Sequence, residues 1–257
     1  MIAIIGGTGV YALPGAVEHE RVVATPYGEA AVTEVHLPDG LDLVFAPRHG
    51  KGHAVPPHRL PARALLWGLK EIGVTAILAT SAVGSVREDI PPGSLALLGD
   101  FIDFTKSRPT TFHDGPGVVH QNVSDAYCPT LRAALRRSAA QQGIALRRED
   151  VVYVCTEGPR FETPAEIRAY AQLGGDVVGM TQVPEAVLAA EMGICYAAVA
   201  LVTNLAAGVQ GARPSHEEVL GLMAEQGRTL AALLLGTVRE LGQDYRCGTH
   251  PQPEAMS

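Results

Sequence analysis

The sequence predicts an α/β fold with a single domain, in which a mixed, mostly parallel central β-sheet is flanked by helices. Short apolar runs alternate with segments of helical periodicity along the chain. Two runs, 74–79 and 197–202, are almost continuously apolar, which is typical of strands covered on both faces. The length of 257 residues and the apolar content of 47% are enough for one large domain with a full core.

The elements of the first half begin with the apolar run 1–5, which predicts the first strand. Three further β-rich runs predict strands at 21–25, 30–37 and 41–46. A helix over 60–72 then precedes strands at 74–80 and 94–99.

In the second half, helices at 129–142, 164–173, 184–192 and 215–240 alternate with strands at 151–155, 176–180 and 195–203. Thr163 and Ser215 each stand three residues before a glutamate, so both open a helix with a capping box. Gly174 and Gly193 stand where helices should end. We expect one domain over 1–245 and a loose tail over 246–257.

Composition excludes several classes of protein. The net charge of −7 argues against a nucleic-acid partner. No apolar run reaches 18 residues, so no membrane partner is expected. The start lacks a basic region, so it is read as a strand rather than a signal peptide. Four cysteines without CxxC or metal-ligand spacing predict reduced thiols and a cytoplasmic location.

A glycine-rich turn, Gly6-Gly7-Thr8-Gly9, follows the first strand. With Ala12 it satisfies a dinucleotide-binding pattern, but Pro14 interrupts the helix that such a site needs. The turn can instead present backbone N–H groups and the Thr8 hydroxyl to one phosphate. A plain tight turn remains the alternative.

Two more strand ends carry groups suited to an anion. Arg48 can hold phosphate through two parallel hydrogen bonds, and His49 adds a donor. The nearby His53 and His58 raise the alternative of a metal site, but no carboxylate or cysteine accompanies them. A solvated basic loop is the plainer alternative. The run 80–85, read as a loop, adds the hydroxyl of Ser81 at a third strand end.

The most distinctive segments are two turns, 156–166 and 179–185, and the strand end at Asn204. In open α/β sheets such positions line the ligand crevice. A carboxylate, a carboxamide, hydroxyls and an aromatic ring predict a pocket for a flat ring with hydrogen-bonding edges, by hypothesis a purine. Taken singly, Glu162, Asn204 and His216 could each be an ordinary surface, turn or helix-start residue.

Together these segments resemble the trimeric purine nucleoside phosphorylase and methylthioadenosine phosphorylase family. The match is most specific at 47–50, 80–85, 157–161 and 179–181. The resemblance implies a glycosyltransferase (pentosyltransferase) that acts in purine salvage without metal or organic cofactor, with inorganic phosphate as co-substrate. It also implies a homotrimer, or a hexamer of two trimers, in which the segment around His113 (110–120) completes a neighbour's site.

The resemblance implies that phosphate is bound by Thr8, Arg48, His49, Ser81, Ala82 and Thr181. It likewise implies that the nucleoside substrate is bound by Phe161, Met180, Asn204, Leu205, Ala206 and His216. The catalytic residues that it implies are Asn204 and Glu162. Asparagine at 204 and alanine at 206, where the 6-aminopurine branch has aspartates, favour the 6-oxopurine branch. Physically, a carboxylate can accept from the N1–H of hypoxanthine or guanine, and a carboxamide NH₂ can donate to O6 and N7.

The expected activity is therefore phosphate-dependent cleavage of inosine or guanosine. A histidine at 216 resembles members that bind a 5′-hydroxyl. The alternatives kept open are phosphorolysis of S-methyl-5′-thioadenosine or S-methyl-5′-thioinosine, an NAD-dependent oxidoreductase using the glycine-rich turn, and a non-catalytic nucleotide-binding module.

Overall fold

The computed structural model describes residues 1–6, 16–242 and 245–247, and its frame is one sheet of nine strands. The strands are β1 (Ile2–Gly6), β2 (Val17–Thr25), β3 (Gly28–His36), β4 (Asp42–Pro47), β5 (Ala76–Ser85), β6 (Leu95–Phe104), β7 (Leu146–Thr156), β8 (Val177–Gly179) and β9 (Cys195–Leu205). The helices are α1 (Ala62–Glu71), α2 (Pro129–Gln142), α3 (Pro164–Gln172), α4 (Gln182–Glu191) and α5 (His216–Leu241). Every predicted strand and helix is present, and the predicted fold class is confirmed.

The strand order is β2-β3-β4-β1-β5-β8-β7-β6-β9, and β9 also pairs with β5, so the last five strands form a closed ring. Pairing is parallel between β1 and β4, β1 and β5, β5 and β9, β6 and β7, and β7 and β8. The other four pairings are antiparallel. This mixed pattern places the ends of β5, β8 and β9 side by side, where Gly84 pairs with both Val178 and Asn204.

Two large apolar cores cover the sheet, and a third, smaller one includes Ile167 of α3. One packs α1 and α4 through residues such as Leu66 and Ala186, and the other packs α2 and α5 through Leu135 and Leu234. Both predicted capping boxes are formed, at Thr163 and at Ser215. None of the helices in the described ranges has both the length and the apolar character needed to cross a membrane.

The run 80–85 is not the loop predicted from the sequence. These residues form the second half of β5, because β9 pairs with it as far as Leu205 and β8 pairs with Gly84 and Ser85. The hydroxyls of Thr80 and Ser81 misled the sequence interpretation. Of the predicted tail, residues 248–257 lie outside the described part of the chain.

Three of the four cysteines meet in space although they are far apart in the sequence. The Sγ atoms of Cys128, Cys195 and Cys247 lie within 4.8 Å of one another, and those of Cys128 and Cys247 are 3.4 Å apart. The hydrogen bond with Cys128, together with burial, raises the pKa of Cys195 far above the ordinary thiol range. Cys195 is therefore a protonated thiol at neutral pH, and spacing along the chain does not reveal this cluster.

Candidate active site

A cavity of about 390 Å³ opens where the ends of β5, β8 and β9 meet the segment after β4. Small-molecule sites typically measure roughly 300–1,000 Å³. Most of the predicted site residues line it: Arg48, His49, Ser81, Ala82, Phe161, Glu162, Met180, Thr181, Asn204, Ala206 and His216. Thr8 lies outside the described residues. Leu205 is not among the lining residues, although its carbonyl oxygen contacts Asn204.

Arg48 enters the cavity directly after β4, where its backbone N–H donates to the Gly6 carbonyl at 3.0 Å. Its Nε and Nη2 donate to the two carboxylate oxygens of Glu185 at 2.5 and 2.9 Å, and Nη1 donates to the Thr80 carbonyl at 2.7 Å. Both charged side chains are 2% exposed. Glu185 therefore balances the charge of Arg48 and fixes its plane. One N–H on each terminal nitrogen of Arg48 has no other partner among the described residues.

His49 is held in one tautomer. Its Nδ1 lies 2.9 Å from the Val55 carbonyl oxygen, which can only accept, so Nδ1 carries the proton and Nε2 has a lone pair. Burial lowers the pKa of His49 to about 4, and the nearby Arg48 and His53 contribute to the same direction. The ring of His53 stacks on it at 4.1 Å, and His216 lies 6.5 Å beyond His53. In its neutral form His49 therefore presents an acceptor nitrogen, not the donor predicted from the sequence, and it must take up a second proton to donate to an anion.

A cluster of hydroxyl groups lies next to Arg48. The Ser81 Oγ is 3.2 Å from the Thr181 Oγ1 and 3.4 Å from the Tyr153 hydroxyl. The same Tyr153 hydroxyl accepts from the Thr181 backbone N–H at 3.1 Å. Thr181 directly precedes α4, whose first turn is irregular at Val183 (φ −111°, ψ 128°), and both Thr181 and Ser81 are buried. Neutral donors beside a guanidinium are groups that bind oxyanions in proteins.

Glu162 provides the carboxylate of the cavity. Its Oε1 accepts a 2.7 Å hydrogen bond from the Thr156 hydroxyl. Burial raises the pKa of the Glu162 carboxyl, while the Thr156 hydrogen bond opposes this shift. Among the described residues, Thr156 is the side-chain donor to this carboxylate through Oε1, and Oε2 can accept from a ligand.

Asn204 provides a donor whose direction is set by its neighbours. Its Nδ2 donates to the Leu205 carbonyl at 2.9 Å, and its Oδ1 lies 2.9 Å from the Thr203 hydroxyl. Because a carbonyl oxygen cannot donate, the amide cannot be reversed without placing two acceptors face to face. A Cβ at Gly84 would lie 3.1 Å from that Nδ2, so a side chain at position 84 would crowd the amide.

Sequence reasoning missed Glu185, Tyr153 and Gly84 as members of this site. Glu185 was visible in the turn 179–185, but nothing local pointed to Arg48, which is 137 positions away. The pattern Pro-Glu inside an otherwise apolar helix was the available signal, because a charged residue on a buried face needs a partner.

The sequence matches the profile of the Phosphorylase superfamily over residues 1–239. It is 48% identical over 254 residues to the 6-oxopurine nucleoside phosphorylase of Pyrococcus furiosus, covering 96% of this chain and 95% of that protein. It is 52% identical over 225 residues to the probable S-methyl-5′-thioinosine phosphorylase of Methanopyrus kandleri, covering 87% and 86%.

Among solved structures, a methylthioadenosine phosphorylase from an antarctic soil metagenomic library superimposes with a TM-score of 0.87 and 35% identity, covering 93% of this chain and 85% of that one. The profile match, the relatives and the shared fold agree over nearly the whole described chain. The protein therefore belongs to the Phosphorylase superfamily.

Proposed function

We propose that this protein cleaves 6-oxopurine ribonucleosides with inorganic phosphate, giving the free base and ribose 1-phosphate. The observation that carries the proposal is one cavity lined by a carboxylate acceptor, Glu162, an oriented amide donor, Asn204, and an anion-binding group around Arg48. The name of the Pyrococcus furiosus relative supports the same substrate class.

The base is recognised by complementary hydrogen bonds. The free oxygen of Glu162 accepts from the purine N1–H, and the second Nδ2–H of Asn204 donates to N7 or O6. Phe161 lines the cavity while remaining 40% exposed, so it can cover a face of the ring. Adenine would place its N1 acceptor against the carboxylate, and each unpaired buried polar group costs about 1–3 kcal/mol.

In the reaction, the C1′–N9 bond breaks and its electron pair moves into the purine. A phosphate oxygen then forms the new bond to C1′, and the proton that hydrogen phosphate loses in forming the ester is passed to the base by way of solvent. Phosphate held by Arg48, Ser81 and Thr181 stabilises the cationic sugar electrostatically and is positioned to attack it. Asn204 stabilises the charge that builds on N7 and O6, so its contribution is larger in the transition state than in the ground state. The proposal requires neither a metal nor an organic cofactor.

The test is base release from inosine, guanosine, adenosine and S-methyl-5′-thioadenosine, each measured with and without phosphate. We expect inosine and guanosine to be cleaved only when phosphate is present, with ribose 1-phosphate formed in equal amount. Phosphate-independent release, a dependence on NAD, or a preference for adenosine would each contradict the proposal.

A second candidate substrate is S-methyl-5′-thioinosine. The cavity wall near His216 also contains Val219 and Pro214, an apolar surface that suits a methylthio group. The name of the Methanopyrus kandleri relative agrees with this substrate. Both candidates share the base contacts, so comparing inosine with S-methyl-5′-thioinosine separates them.

We further propose a cytoplasmic homotrimer, with a hexamer of two trimers as the larger alternative. Within the segment 110–120, Val118 and Val119 are exposed, and none of its described residues lines the cavity of its own chain. An exposed apolar segment next to His113 fits an interface with a second copy. Light scattering after size-exclusion chromatography gives the assembly state, and a monomer would exclude the proposal.

A further inference from the structure

One buried arginine outside the cavity joins the two segments that carry ligand-facing side chains. Arg108 follows β6, and its side chain is 5% exposed. Its Nη1 donates to the carbonyl oxygens of Met180 and Val183 at 2.7 and 2.8 Å. Its Nη2 donates to the carbonyl oxygens of Thr156 and Glu157 at 3.2 and 2.6 Å. One guanidinium thus contacts four main-chain acceptors on two separate segments.

These segments leave the neighbouring parallel strands β7 and β8. The first leads to Glu162 and the second contains Met180 and Thr181, all of which line the cavity. The segments also touch, since a Cβ at Gly158 would lie 2.6 Å from the Met180 Sδ. Their relative position therefore sets the spacing between the base-facing carboxylate and the hydroxyls near Arg48.

Only a guanidinium can make this connection. Its planar fork spreads donors over two terminal nitrogens, whereas a lysine has one nitrogen and cannot reach four separated oxygens. Glu157 balances the charge, with its Oε1 3.6 Å from the Arg108 Nε, and its Oε2 accepts from the Lys106 N–H at 2.6 Å. Removing Arg108 would take one donor from each of these four carbonyl oxygens, with the Cys155 thiol at 3.6 Å left as a weak donor to that of Val183, and would release both segments together.

We propose that Arg108 is a positioning residue that holds the 156–162 and 179–183 segments in the spacing that phosphorolysis requires, without touching the substrate. This role rests on the proposed function of the same cavity. It predicts that nucleoside binding and turnover are both lost when Arg108 is shortened, and that a free guanidinium ion can partly replace the missing group.

The experiment compares Arg108→Ala, Arg108→Lys and a control, Arg239→Ala. Arg239 is an exposed arginine that pairs with Asp39 on another part of the surface. We expect Arg108→Ala to lower kcat/KM for inosine by about 100-fold, as misplacement by about 1 Å can do. The nucleoside KM should rise while kcat falls, and millimolar guanidinium chloride should restore activity in a saturable way that sodium chloride and urea do not reproduce. Arg108→Lys should keep the charge and still be impaired, and Arg239→Ala should match the wild type.

A purely structural role would lower kcat in proportion to the folded fraction, leave KM unchanged and give no guanidinium rescue, and this outcome would overturn the proposal. Hydrogen exchange of 157–163 and 179–183 supplies a readout that does not depend on activity. Both segments should exchange faster in Arg108→Ala than in Arg239→Ala, and equal exchange would overturn the positioning role. If wild-type protein fails to cleave inosine, the proposed function falls, and the exchange comparison still decides the role of Arg108.

Discussion

Replacing Asn204 by aspartate is the sharpest test of base recognition, because it exchanges one amide nitrogen for an oxygen at nearly constant volume. In the structure this nitrogen faces the Leu205 carbonyl at 2.9 Å. A carboxylate oxygen there would meet another acceptor, so the aspartate must turn or take up a proton. In either case the oriented donor that we assign to the purine N7 or O6 is lost or redirected.

The magnitude follows from the hydrogen bond that disappears. A hydrogen bond to a group that develops charge is worth about 1.5–3 kcal/mol. At about 1.4 kcal/mol for each tenfold change, kcat/KM for inosine should fall roughly 10- to 150-fold. Adenosine does not offer an acceptor at position 6, and its exocyclic amine can donate to the new oxygen. Its kcat/KM should therefore stay constant or rise.

The assay is initial-rate measurement of hypoxanthine and adenine release at saturating phosphate, and the result is the ratio of the two kcat/KM values. Asn122→Asp is the matched control, because it makes the same chemical change at an exposed asparagine that does not line the cavity. If Asn204→Asp is folded and its ratio stays within about twofold of the wild type, a change worth only about 0.4 kcal/mol, the proposed role of the Asn204 donor is wrong.

Three further predictions concern charged groups. Burial raises the pKa of Glu162, so the carboxylate is protonated, and kcat/KM for inosine should fall, as the pH drops through that raised value. The pH–rate profile of Glu162→Gln should lack this fall on the acid side. Burial lowers the pKa of His49 to about 4, but this side chain should take up a proton when phosphate binds, because a neighbouring anion favours the imidazolium. Calorimetry of phosphate binding near neutral pH, in buffers of different ionisation enthalpy, should detect the proton uptake. Binding without proton uptake would contradict a contact between His49 and phosphate. Glu185→Gln breaks a buried pair with Arg48 and should lower the free energy of unfolding by about 3–5 kcal/mol. Thermal denaturation would show this loss as a fall in Tm of roughly 6–20 °C. In the control Glu34→Gln, which breaks the exposed pair with Arg21, the free energy of unfolding should fall by less than about 1 kcal/mol.

The elements of the fold could be predicted because their signals are local. Periodicity and capping residues are visible within a few positions, and the capping boxes at Thr163 and Ser215 formed as expected. Arg48 lies beside the end of β1 because the parallel strands β1 and β4 end at the same edge of the sheet.

The remaining features depend on pairings between distant segments. The second half of β5 was mistaken for a loop because its partners, β8 and β9, lie about 90 to 120 positions further along the chain. Glu185 and Arg108 were missed for a related reason. One binds a guanidinium in another element, and the other binds backbone carbonyls, which leave no mark in a sequence.

The balance of charge around the phosphate position has a consequence for catalysis. Arg48 is paired with Glu185, His49 is neutral, and Ser81 and Thr181 are hydroxyl donors, so these five side chains together carry almost no net charge before phosphate binds. A phosphate dianion would therefore be held largely by N–H and O–H dipoles, and the proton that His49 takes up would offset at most one of its two charges. In the proposed reaction the negative charge that remains stabilises the cationic sugar as the C1′–N9 bond breaks, whereas a site with further free cations would bind phosphate more tightly in the ground state and weaken that stabilisation. In the proposed reaction the buried carboxylate of Glu185 would thus serve the transition state as well as the geometry of Arg48.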